Sequence, residues 1–157
     1  MKKITRALSL ALALVMALAL AACGGSDEPV AVDINALAGD LLAAATFGED
    51  MNEIPAETAP GLYGAPEGTT AVAYGGSGAT AEELAVFDCG SAEAAATLVD
   101  TLEARNQSRI ETYSSYNPNE VPKLESAVIL SGGQYVVLIV ATDASAAAKI
   151  ADEALNK

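Results

Sequence analysis

The sequence predicts an α+β domain, a mainly antiparallel four-stranded sheet with helices packed on it, in the order helix, two strands, helix, two strands, helix. Three observations lead there. Apolar residues recur at three- and four-residue steps where the domain begins. Two pairs of alternating segments are each joined by glycines and each followed by an alanine-rich helical stretch. One segment, Val136 to Val140, is apolar at every position, so both of its faces are buried.

Asp33 caps the first predicted helix, whose apolar positions are Ile34, Leu37, Ala38, Leu41 and Ala45; Gly39 is its weak point and Gly48 its end. From Glu49 to Glu67 no regular element is expected, because Pro55, Pro60 and Pro66 interrupt the chain around Leu62-Tyr63. The acids there, Glu49, Asp50, Glu53 and Glu57, lack the spacing and central glycine of a calcium loop and read as a solvated segment. Thr69 to Tyr74 and Glu83 to Asp88 alternate as two strands, with Gly75-Gly76-Ser77-Gly78 between them and a long helix starting at Ser91. Leu124 to Leu130 forms the third strand and Gly132-Gly133 a two-residue turn needing positive φ. Tyr135 to Ala141 returns, and Asp143 starts the last helix. "ELAVFDCGSAEAAATL" and "YVVLIVATDASAAAKI" correspond, as if one unit were written twice. Either helices on both sides or a second molecule covers Val136 to Val140; three available helices favour a monomer over a homodimer. Phe87, Tyr74 and Tyr135 fall on strands and belong to the core.

Upstream of this domain, Lys2, Lys3 and Arg6 precede an apolar run from Ala7 to Leu20 that is broken only by Ser9. A spanning helix needs about 20 apolar residues, so the run reads as an export signal rather than an anchor. Leu20-Ala21-Ala22-Cys23 resembles the lipobox of bacterial lipoproteins, in which the cysteine thiol receives diacylglycerol and becomes the first mature residue. Cys23 is thus the expected lipidation site, and two acyl chains are what stable anchoring requires. Residues 1–22 are then the signal, 23–32 a flexible acidic tether built on Gly24-Gly25-Ser26, and 33–157 one domain. The expected location is the extracytoplasmic face of the cell membrane. The whole chain carries −13; removing the signal leaves five basic and 21 acidic residues, a charge of −16. That charge makes nucleic acid and bare anionic lipid poor partners on electrostatic grounds, and no nucleic acid partner is expected.

Chemistry is limited by what is missing. With no histidine, Ser-His-Asp and Cys-His arrangements and imidazole metal sites are excluded. Cys89, the only other cysteine, stands at a strand end beside Asp88 and reads as a small buried side chain. The Gly75–Gly78 run lacks the following lysine and helix of a phosphate loop. Glu82 and Glu83 point to opposite faces of a strand, which separates them as an acid–base pair. No catalytic, cofactor-binding or metal-binding residue is assigned. One polar feature stands out: the face carrying Leu98 and Leu102 continues through Arg105 and Arg109 toward Tyr113 and Tyr116. Either the arginines neutralise nearby acids, Glu83 or Glu111, with Arg109 the more exposed of the two, or Arg105, Arg109 and Tyr116 form an anion or partner contact.

The passage from Glu82-Glu83-Leu84-Ala85-Val86, through Arg105, to "YSSYNP" with Tyr116 and Pro118, and on to "GGQYVVL", resembles the domain of unknown function 4358 family. The resemblance implies a small lipoprotein of the kind common in Gram-positive bacteria; it implies no reaction and no catalytic residue, and Cys89 is not part of the pattern. The expectation for function is therefore a membrane-anchored binding or interaction module of the envelope, not an enzyme. A carboxylate-dependent hydrolase acting on envelope material through the Glu49–Glu67 segment is the alternative. The chain is too short for the two lobes of a solute-binding transporter component.

Overall fold

The side chain of Asp33 accepts the N–H groups of Asn35 and Ala36 at 3.0 and 3.1 Å, and so caps α1 (Ile34–Ala44) as expected. The computed structural model describes residues 31–156; the apolar leader, Cys23 and the glycine tether lie outside the described residues. Leu37, Ala38 and Leu41 form the buried stripe of α1, which stops at Ala44. Gly48 does not end the helix and is instead held by Glu82, at 2.9 and 2.8 Å from its two carboxylate oxygens.

The segment from Glu49 to Glu67 corrects the expectation of four strands. It contains β1 (Asn52–Ile54) and a short helix, α2 (Ala59–Leu62). Three residues are too few to display alternation, and β1 exists because β2 (Thr70–Gly75) offers it a partner edge, with Ile54 opposite Ala73. Pro60 falls in the first turn of α2, where its missing N–H has no intrahelical use. β3 (Glu83–Asp88) and α3 (Ala92–Tyr116) follow as expected, with Ser91 accepting the Ala94 N–H at 3.1 Å.

A second correction concerns Leu124. It lies in α4 (Val121–Glu125), entered through a 3₁₀ turn at Pro118–Glu120, and it is buried against α3 rather than carried on a strand. β4 is therefore shorter, Val128–Gly132, and pairs with β5 (Tyr135–Val140). The hairpin loop is Gly133-Gln134, one residue later than Gly132-Gly133, because Gly132 pairs with Tyr135 and only Gly133 takes positive φ, 55°. Asp143 accepts the Ser145 N–H at 2.9 Å at the start of α5 (Ser145–Leu155).

The five strands are antiparallel throughout, in the order β1-β2-β3-β5-β4, which places β3 and β5 at the centre. Alternation sorts their side chains into two layers. Ala85, Phe87, Val136, Leu138 and Val140 meet Leu98 and Leu102 of α3, with Tyr63 and Leu124. Leu84, Val86, Val137 and Ile139 meet α1 and α5 on the other face, through Leu37, Leu41, Ala147 and Ala151. The doubly apolar β5 thus has helices of its own chain on both sides. Among the described residues no helix is long and apolar enough to cross a membrane.

Candidate functional site

Ala81, Glu82 and Glu83 lead from the glycine-rich β2–β3 connection into β3, and all three are buried. A buried carboxylate needs charge or hydrogen-bond partners. Glu83 takes both terminal nitrogens of Arg105, at 2.6 and 3.0 Å, and one of Arg109. Glu82 takes the Gly48 N–H, the Thr142 hydroxyl at 2.8 Å and the Lys123 ammonium at 3.1 Å. Lys123 also lies 3.1 Å from Glu120, whose carboxylate accepts the Ala81 N–H at 2.9 Å. Three of the five cations downstream of Cys23 are therefore gathered on three buried carboxylates, and the cluster is neutral.

The α3 stripe explains how this assembles. Residues four apart share a helix face, and Arg105, Arg109, Tyr113 and Asn117 reach successive points of the chain beside them. Arg105 and Arg109 hold Glu83, and Arg109 also donates to the Ala81 carbonyl at 3.0 Å. Tyr113 donates to the Thr80 carbonyl at 2.7 Å, and Asn117 to that of Ala79 at 3.3 Å. The helix thereby fastens the connection that follows Gly75–Gly78. Glu49 secures the same loop from its other side by accepting the Thr80 hydroxyl.

Each position singled out in the sequence can now be placed. Arg105 and Arg109 meet Glu83, not Glu111, and Arg109 is no more exposed than Arg105, at 19% against 24%. Tyr116 does not join them: it is 68% exposed and stacks edge-on to Tyr113, with ring centroids 6.0 Å apart. The tyrosines at the arginines are Tyr113 and Tyr63, the Arg105 guanidinium lying 4.7 Å from the Tyr63 ring centre. Glu82 and Glu83 have separate partners, as strand alternation requires, although both border the same cleft. Cys23 lies outside the described residues. Cys89 is buried, and that burial, then Asp88, pushes its thiol pKa up.

Burial alone would raise the Glu82 carboxyl, but hydrogen bonds from Thr142, Lys123 and Gly48 outweigh it and hold the pKa below the ordinary 4.5. Burial lowers Lys123 likewise, and Glu82 and Glu120 outweigh that and raise it above 10.5. Tyr63, Glu120 and Lys123 escaped the sequence reading. Tyr63 sits in a proline-interrupted stretch with no periodic pattern, and an acid and a lysine three residues apart look like ordinary surface.

A cleft of about 200 Å³ lies beside this cluster, bordered by Ile54, Leu62, Tyr63, Gly76, Arg109 and Tyr113 among others. A Cβ on Gly76 would fall 2.9 Å from the Thr80 hydroxyl and 2.8 Å from the Glu49 carboxylate carbon, so those two side chains would have to shift to admit one. Neither a curated protein nor a solved structure matches the chain. A family model, described as Domain of unknown function (DUF4358), matches residues 65–141. That span holds Glu82, Glu83, Arg105, Arg109, Tyr113, Glu120 and Lys123, with Tyr63 just ahead of it. Residues 65–141 are therefore a domain of the DUF4358 family, domains of unknown function.

Proposed function

We propose that the chain is a lipid-anchored protein of the extracytoplasmic membrane face, held through Cys23, whose domain binds an envelope ligand or partner without reacting with it. One observation carries the binding part of this reading: the carboxylates bordering the cleft are already occupied as acceptors. Glu83 serves two guanidinium groups and Glu82 three donors, and Glu49, beside the cleft-lining Thr80, takes that residue's hydroxyl. A general acid or base needs a carboxyl free to exchange a proton near the working pH. The same observation disfavours a carboxylate-dependent hydrolase, and Asp50, Glu53 and Glu57 of the loop are solvent-exposed with nothing pairing them. Anchoring is supported by Leu20-Ala21-Ala22-Cys23 and the short apolar run before it.

Two experiments test the two parts. In a Gram-positive host, wild type should fractionate with membranes and carry a diacylglyceryl mass on Cys23, while Cys23→Ser should appear in the medium or remain unprocessed. An unmodified mature N-terminus at Cys23 would contradict anchoring. For binding, Leu62, 56% exposed at the cleft, offers a substitution that leaves the core intact. A species captured from detergent-solubilised membranes by wild type should be lost with Leu62→Asp; equal capture by both, or none, would contradict the cleft as the binding surface.

A further inference from the structure

Leu62 and Tyr116 are the two large apolar side chains that stand exposed among the described residues. Scattered singly, such residues need no explanation. These two are not scattered: Leu62 borders the cleft, and Tyr116 stacks edge-on to Tyr113, which borders it too. With Ile54 they give the cleft an apolar rim. The fold makes no use of Tyr116, because the four-residue steps of α3 pass from Tyr113 to Asn117 and reach the neighbouring loop there. An exposed tyrosine at the edge of a concave site is what binding surfaces are enriched in.

Charge defines the kind of partner that fits. Arg105, Arg109 and Lys123 are drawn into the buried cluster, so the only exposed cation among the described residues is Lys149, on α5 across the sheet from the cleft. The segment that carries Ile54 runs from Glu49 to Glu57 with four acids, three of them exposed, and no cation. A cationic partner is attracted to such a rim and an anionic one repelled. A tyrosine ring also takes a cation on its face. The cleft itself, about 200 Å³, is smaller than the roughly 300–1,000 Å³ of pockets for drug-sized ligands and admits one side chain.

Building on the binding role above, we propose that the cleft docks a basic segment of a partner protein. One apolar or aromatic side chain enters against Leu62 and Tyr113, while flanking lysines or arginines meet the acids of the Glu49–Glu57 segment and the Tyr116 ring. The chain has no tryptophan, so the peptide Lys-Lys-Trp-Lys-Lys reports its own binding by fluorescence when titrated with the detergent-solubilised full-length protein, against detergent alone. The expected result is a saturable blue shift with wild type, with affinity roughly tenfold or more weaker in Leu62→Ala combined with Tyr116→Ala. Binding should weaken as NaCl rises from about 50 to about 500 mM, and Glu-Glu-Trp-Glu-Glu should not bind. Both side chains are exposed, so the double variant should keep the wild-type Tm; Leu62→Lys gives a second reading, through repulsion of the peptide. No saturable shift with wild type, equal binding by the variants, or equal binding of Gly-Gly-Trp-Gly-Gly would overturn the proposal. So would displacement of the probe by pentalysine as effectively as by Lys-Lys-Leu-Lys-Lys, since charge alone would then explain it. An envelope species whose capture depends on Leu62 but that is not a basic protein would leave the binding role standing and remove this occupant.

Discussion

At the scale of single residues, Glu82 shows how a carboxylate on a buried strand entry becomes part of the fold. Its side chain joins three separated segments, at Gly48, Lys123 and Thr142, so its ionised form is worth more folded than unfolded. A carboxyl held below its ordinary 4.5 contributes stability above that pH, and the contribution disappears as pH falls through the lower folded value. Lys123, raised above 10.5, contributes below that pH and loses its share only as pH climbs through its folded value. The expected outcome is a urea midpoint difference between wild type and Glu82→Gln that is constant from about pH 6 to 9 and shrinks below 4.5. A difference that grows in acid would contradict this assignment. None of these partners was legible in the sequence, because Gly48, Lys123 and Thr142 are brought together only by tertiary structure.

At the scale of elements, glycines separate what local pattern reveals from what packing decides. Gly39 lies inside α1 with no atom within 4 Å of where a Cβ would stand. Gly39→Ala should raise stability by up to about 1 kcal/mol in urea unfolding, because alanine is the better helix former. Gly132 and Gly133 look alike in the sequence but differ in the fold. A Cβ on Gly132 would stand 2.8 Å from Cβ of Leu155 and closer still to its carbonyl oxygen, whereas Gly133 has open space and φ of 55°. Gly132→Ala should therefore cost about 2–3 kcal/mol and Gly133→Ala about 1; equal costs would contradict the close approach of α5. The sequence revealed α1, β2, β3, α3, β5 and α5 through periodicity and caps. It concealed β1, too short to alternate, and the α4 turn, whose Leu124 looks like a strand residue until Pro122 is placed in a helical first turn. The α3 stripe was legible as far as Arg105 and Arg109. Its continuation was misread by one residue, because four-residue steps lead to Asn117, which reaches Ala79, and not to the exposed Tyr116.

At the scale of the whole molecule, the all-apolar β5 posed the largest question in the sequence, and α3 on one face with α1 and α5 on the other answers it. A soluble form beginning at Asp27 should accordingly sediment as a monomer at high micromolar concentration; a dimer would mean that some other surface associates. The central claim is that the cations near the cleft belong to the scaffold. Arg105 and Arg109 neutralise Glu83, and Arg109 also fastens the loop that lines the cleft, in a chain with a large excess of acid; they are not a free anion receptor. Thermal unfolding of wild type and of Arg105→Ala, with and without phosphate, tests this most directly. The prediction is a Tm about 5 °C lower for Arg105→Ala, with phosphate leaving both proteins unchanged. A phosphate-dependent rise in the Tm of wild type, lost when Arg105→Ala is combined with Arg109→Ala, would contradict it.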